Sequence, residues 1–164
     1  MHYCHTKLDA DDSRFVWKTS SDALVGPFSP LLYVPLPVAQ HFLGIAAAIG
    51  QIPDFPPKSR ETAILATGSH FGAVYEIYAH ERVAEKTTEL SRAQIKTITA
   101  GQKPQDLDDK SSAAFDVAIA LSKGGGPLSD ALFQEAKQQF GLIGAQALIQ
   151  YVFAVLLVPR RNSD

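Results

Sequence analysis

Glu76 and His80 stand four residues apart in the stretch HFGAVYEIYAH, residues 70–80. On an α-helix that spacing puts a carboxylate and an imidazole on one face. Their neighbours on that face are Ala73, Ile77, Val83 and Ala84, so the pair would lie on an apolar stripe. An imidazole titrates near neutral pH, and a carboxylate beside it holds one tautomer and favours the imidazolium. Burial pushes the carboxylate's own pKa upward, which makes Glu76 a candidate proton donor. Together the two could remove one proton and supply another, which is general acid–base catalysis. The same spacing also arises on ordinary surface helices and in polar pairs packed into a core.

Other chemistries find less support. No serine-based nucleophile motif, no H-E-x-x-H and no Gly-Lys-Ser/Thr after the glycine triplet at 124–126 is present. Cys4 is the single cysteine, which excludes an intramolecular disulfide and a C-x-x-C redox pair. His2, Cys4 and His5 could begin a metal site, but no second cluster is spaced to complete a tetrahedron, so no metal and no cofactor is expected. Net charge is −2 and no Lys/Arg stripe appears, which argues against a nucleic-acid surface. The polar, acidic start MHYCHTKLDADD is unlike a secretory signal. The apolar run 141–158 is short for a membrane span and carries Gln146 and Gln150, so it reads as a core or subunit-interface helix. These features point to a cytoplasmic protein acting on a small molecule.

The elements that would position the pair are helical. No segment alternates with period two for long, and the chain's 164 residues read as one all-α domain over 1–164, with 1–25 as an N-terminal arm. Pro37 and Gly50 bracket a first helix, and a second runs over about 58–69. Gly68 and Gly72 mark a break before the Glu76/His80 helix, about 73–89. Ser91 with Gln94 is a capping-box pattern opening a short helix to Ala100. Helices over 108–122, 129–140 and 142–158 follow, the last two separated by Gly141. Arg14, Trp17, Phe28 and Tyr33 are aromatic and cationic enough to cover a pocket as a lid.

The order of these features resembles the carboxymuconolactone decarboxylase family of the alkylhydroperoxidase D superfamily. The resemblance rests on GPFSPLLYVP at 26–35, SRETAILATGSHFGAVYEIYAH at 59–80, LSRAQIKTITAGQKP at 90–104 and LSDALFQEAKQQFG at 128–141, and covers roughly residues 20–158. It implies an alkylhydroperoxidase D-like fold of six to seven helices, assembled as a homo-trimer or homo-hexamer. It also brings in a third candidate catalytic residue, Glu61, which matches the family's upstream glutamate and would otherwise read as a helix-start charge paired with Arg60. The peroxidase branch carries C-x-x-C where this chain has Ala73 and Glu76, so both redox atoms are missing and a peroxidase is disfavoured.

The expectation is therefore a cofactor-free lyase that decarboxylates a small cyclic or polyketide-derived acid, with secondary metabolism as one setting. Glu76, His80 and Glu61 would be catalytic, and His70, Tyr75, Phe71 and Ile77 would bind substrate, with Ile64 and Leu65 as further apolar walls. The same proton inventory would serve an isomerase, dehydratase or cyclase. A non-catalytic oligomeric binding protein is the reading from another class. Tyr75 and Tyr78 also fit as packed aromatics whose hydroxyls are satisfied.

Overall fold

The structure, a computed structural model, describes residues 32–52, 55–124 and 126–156. Over these residues the chain is all-helical, with six helices: α1 Leu36–Ile49, α2 Pro57–Phe71, α3 Val74–Thr87, α4 Arg92–Thr99, α5 Asp109–Gly124 and α6 Asp130–Leu156. Gly141 breaks α6 with φ 69° and ψ 175°, so a count of six or seven depends on whether 130–140 and 142–156 are joined. Cys4, the other N-terminal candidates and the expected arm over 1–25 lie outside the described residues, as do the last two residues of the helix expected over 142–158.

α2 is the central rod. Pro57 occupies its first turn, where a missing N–H costs nothing. Every residue from Glu61 to Gly68 is buried, because α5, α3, α6 and α4 all pack around it. A helix enclosed on all sides has no polar face, and α2 accordingly shows no clean amphipathic pattern. Its threonines satisfy themselves: the Thr62 and Thr67 hydroxyls donate to the Lys58 and Ala63 carbonyls, each at 2.8 Å. The deepest side chains of the surrounding core are Leu65, Ile98, Val117, Leu148 and Val152.

The turn from α2 into α3 depends on Gly72. Its φ of 62° and ψ of 32° are left-handed. The Ala73 N–H then reaches the Gly68 carbonyl at 2.8 Å and the Gly72 N–H reaches Ser69 at 3.1 Å. This pattern closes the last turn of α2 and reverses the chain within two residues. The expected capping box is present at α4: the Gln94 N–H donates to Ser91 Oγ and the Ser91 N–H donates to Gln94 Oε1. Ser69 Oγ donates to the Thr99 carbonyl at 2.9 Å, tying the end of α2 to the end of α4. Asp108 caps α5 by accepting from the Ser111 N–H.

α1 differs from the rest. Ala39 and Ile49 are its buried residues, while Leu36, Val38, Leu43 and Ile45 are exposed. It leans on α6, and the Tyr151 hydroxyl donates to the Ile49 carbonyl at 2.7 Å, satisfying an end carbonyl of α1. By length and composition α6 could cross a bilayer, but the break at Gly141 leaves two shorter pieces. Both contribute to the core, through Ala136 on one and Leu148 and Val152 on the other.

Candidate active site

The hairpin of α2 and α3 brings three of the expected residues into one line. His80 Nδ1 donates to Glu61 Oε2 at 2.7 Å, and His80 Nε2 lies 3.5 Å from Glu76 Oε2. The imidazole thus stands between two carboxylates, one from each helix. The sequence reading gave Glu76 the task of holding the ring. The fold gives it to Glu61, whose contact is the shorter, while the 3.5 Å to Glu76 is an ion-pair separation and not a hydrogen bond. A carboxylate can only accept, so Glu61 fixes the proton on Nδ1 and turns Nε2 toward Glu76.

Glu61 is 1% exposed, deeper than either partner. A carboxylate so placed persists only when paired and hydrogen-bonded. Its second oxygen accepts from Arg60 Nε at 3.1 Å, so the two oxygens serve donors from two different side chains. Arg60 is the functional candidate that sequence reading passed over. Its position beside Glu61 was visible, but an adjacent Arg–Glu pair is so common at helix starts that the spacing carried no signal.

Glu76 is itself buried, and burial is the main cause pushing its carboxyl above the usual carboxylate range. His80 works against that shift, and the negative charge of Glu61 reinforces it. Glu76 therefore keeps its proton to higher pH than a surface glutamate. α3 packs against α2 at Gly68, where a Cβ would lie at ordinary contact distance, 3.5 Å from the Ile77 side chain and 3.6 Å from that of Glu76.

The remaining candidates divide. Tyr75 is half-buried next to Glu76, and its hydroxyl is pushed up to about 12, first by burial and then by the charges of Glu76 and Tyr78. It is a proton-bearing hydrogen-bond donor throughout the working range. Ile77 packs over Gly68 beside the carboxylates. Tyr78 is on the outer side, where the Arg82 guanidinium stacks on its ring at 3.8 Å. His70 is exposed at the far end of α2, edge-on to Phe71 with ring centroids 4.7 Å apart. It lies roughly 13 Å further along the helix axis than Glu61. Ile64 and Leu65 are buried in the central core. Tyr33 is 88% exposed, and the other expected lid residues lie outside the described chain.

Among the described residues, no three His, Cys, Asp or Glu side chains are grouped to hold a metal ion. The geometry gives the reason at this site: the two carboxylates meet opposite nitrogens of one ring, so their lone pairs do not converge on a point. What the arrangement can do is pass protons. One carboxylate fixes the ring, the ring presents its other nitrogen, and a second, more easily protonated carboxyl stands beside that nitrogen. Compared with protein-family models, with curated proteins and with solved structures, the chain matches none of them.

Proposed function

We propose that this chain is an enzyme that moves protons on a small carbonyl-bearing carboxylic acid without a cofactor, with decarboxylation as the leading reaction. The observation that carries the reading is the line Glu61–His80–Glu76, in which a fully buried carboxylate orients an imidazole toward a second carboxyl. The motif order resembling carboxymuconolactone decarboxylases supports the choice of substrate class.

In a decarboxylation the bond to CO₂ breaks, and its electron pair flows into a neighbouring carbonyl to form an enolate. A donor placed at that oxygen lowers the barrier most. Glu76 in its acid form, or His80 protonated at Nε2, would hold the enolate oxygen, and the same pair would return a proton to carbon. Glu61 keeps the ring in place throughout. Isomerisation, dehydration and cyclisation need the same removal and return of one proton, so the site serves them equally.

A general test does not require the natural substrate. A panel of small cyclic keto acids and lactone acids is incubated with the protein in D₂O, following CO₂ release and deuterium uptake at carbon by NMR. His80→Gln and Glu76→Gln should each slow the active reaction by about 10²–10⁴-fold, the range for a positioned acid or base. Unchanged rates in folded His80→Gln would overturn the reading.

A second element of the proposal is self-assembly. Leu36, Val38, Leu43 and Ile45 on α1 and Ile143 and Phe153 on α6 are exposed apolar side chains of a kind that subunit contacts cover.

A further inference from the structure

Arg60 is three-quarters buried, which is unusual for a cation that, among the described residues, meets one partner, Glu61, through Nε alone. The two η nitrogens of its guanidinium carry the remaining N–H donors. Among the described residues no acceptor is found for them. A guanidinium edge of this kind matches the two oxygens of a carboxylate as a parallel pair of charge-assisted hydrogen bonds.

Its distance from the acid–base residues is set by one carboxylate. Glu61 takes Arg60 on Oε1 at 3.1 Å and His80 on Oε2 at 2.7 Å. Nε of Arg60 and Nδ1 of His80 therefore lie within roughly 8 Å of each other, given the span of a carboxylate group. The atoms that would meet a ligand, the η nitrogens of Arg60 and Nε2 of His80, each lie roughly 2 Å beyond these, a separation of at most about 12 Å that a small ring carrying an acid bridges with a hydrogen bond at each end. Arg60, His80 and Glu76 also remain partly accessible, whereas Glu61 between them does not.

We propose that Arg60 anchors a carboxylate that the substrate, a small cyclic acid, retains through the reaction, and so sets which carbon faces His80 and Glu76. The inference rests on the acid–base reading for its substrate class. It adds the residue that orients the ligand, with Glu61 holding anchor and imidazole on its two oxygens. Charge bears on it: the carboxylates of the cluster that an incoming anion must tolerate are Glu61 and Glu76, and Glu61 is already met by both Arg60 and His80.

The test uses benzoate as probe and benzamide as its uncharged counterpart, with chloride to control for ionic strength. Binding to the full chain is followed by NMR. Benzoate should shift the His80 ring signals saturably in wild type, and benzamide should bind far more weakly. Arg60→Met should weaken benzoate by about tenfold or more, as expected for losing hydrogen bonds to a charged group. Arg60→Lys should fall between, because an ammonium keeps the charge but not the fork. Its thermal unfolding, measured alongside, guards against misfolding of the Met variant. Benzoate affinity within twofold of wild type in both variants overturns the proposal, and so does benzamide binding as tightly as benzoate. His80→Gln separates the two readings. Should it lose turnover but keep Arg60-dependent benzoate binding, both stand. Should turnover depend on His80 while benzoate ignores Arg60, only the anchor falls. Should benzoate depend on Arg60 while turnover ignores His80, only the acid–base reading falls.

Discussion

Glu61 and His80 are nineteen residues apart in the chain and 2.7 Å apart in the fold, and the buried member of the pair is the acid. The 1% exposure of Glu61 makes this contact a matter of folding as well as of chemistry. The same hydrogen bond that turns Nε2 toward Glu76 also keeps a carboxylate tolerable inside the helical core.

Removing the imidazole should therefore destabilise the protein through Glu61. His80→Leu leaves a buried carboxylate with Arg60 as its one remaining partner, at a cost of about 3 kcal/mol, or roughly 6–12 °C in Tm. The double variant Glu61→Leu/His80→Leu should recover much of that loss, because no buried charge is then left behind. Thermal unfolding of the two singles and the double gives the coupling directly. A double variant as unstable as the sum of the singles would show that the contact contributes nothing.

The tautomer of His80 can be read without a substrate. In neutral imidazole the proton should reside on Nδ1, because Glu61 accepts there. Nitrogen-15 NMR should show Nδ1 as the protonated nitrogen, with a far-downfield and slowly exchanging proton. Both features should vanish in Glu61→Leu. A proton on Nε2 in wild type would contradict the assigned direction of the relay.

Much of this architecture was legible in the residues, and the parts that were not share a cause. Pro57, Gly72, Gly141 and the Ser91/Gln94 box each act locally, so the helices begin and end near where those residues place them. Glu76 and His80 are on one helix, and their shared face follows from helical spacing alone. The choice of Glu61 as the closer partner depends on how α3 crosses α2. That crossing follows from the Gly72 turn and the packing of the two helices, neither of which spacing within one helix reveals. Arg60 was obscured because its importance depends on which oxygen of Glu61 it takes. α1 carries many apolar residues, yet the fold leaves most of it exposed, because it leans mainly on α6 and not on the central rod α2.

Gly72 should be the sensitive glycine of the hairpin and Gly68 the tolerant one. Nothing lies within 4 Å of a Cβ at Gly72, so Gly72→Ala suffers only from its left-handed backbone, about 1 kcal/mol. Gly72→Asn should recover part of that, since asparagine enters this region more readily. Gly68→Ala meets its neighbours at ordinary contact distance and should leave the unfolding midpoint almost unchanged. Equal losses for the two alanine variants would mean that crowding, and not backbone conformation, controls the turn.

Self-assembly should appear in the solution mass. Light scattering should report at least twice the 17.7 kDa of one chain. Ile143 is 77% exposed and Leu36 is 69% exposed, so Ile143→Lys and Leu36→Glu should shift the population toward the single-chain mass with little effect on helix content. A wild-type mass of one chain at working concentration would remove this part of the proposal.

The last prediction concerns the proton on Glu76. Burial, with help from the charge on Glu61, raises its pKa in the folded protein above the ordinary value of 4.5, while His80 opposes the rise. The folded state then binds this proton more tightly than the unfolded state does. By linkage, the stability contributed by the group is fully present below about 4.5 and declines as pH rises through the folded pKa. Glu76→Gln is a permanent mimic of the protonated acid and cannot lose that contribution. It should unfold at a higher temperature than wild type at neutral pH, and the two curves should converge on acidification below the ordinary carboxylate range. The comparison is made by measuring Tm for both proteins across pH 3 to 8, which is the window the direction of the shift selects. A variant less stable than wild type at pH 7 would show that ionised Glu76 pairs with His80 strongly enough to outweigh its burial. Glu76 would then be a standing anion, and the proton donor of the site would have to be His80.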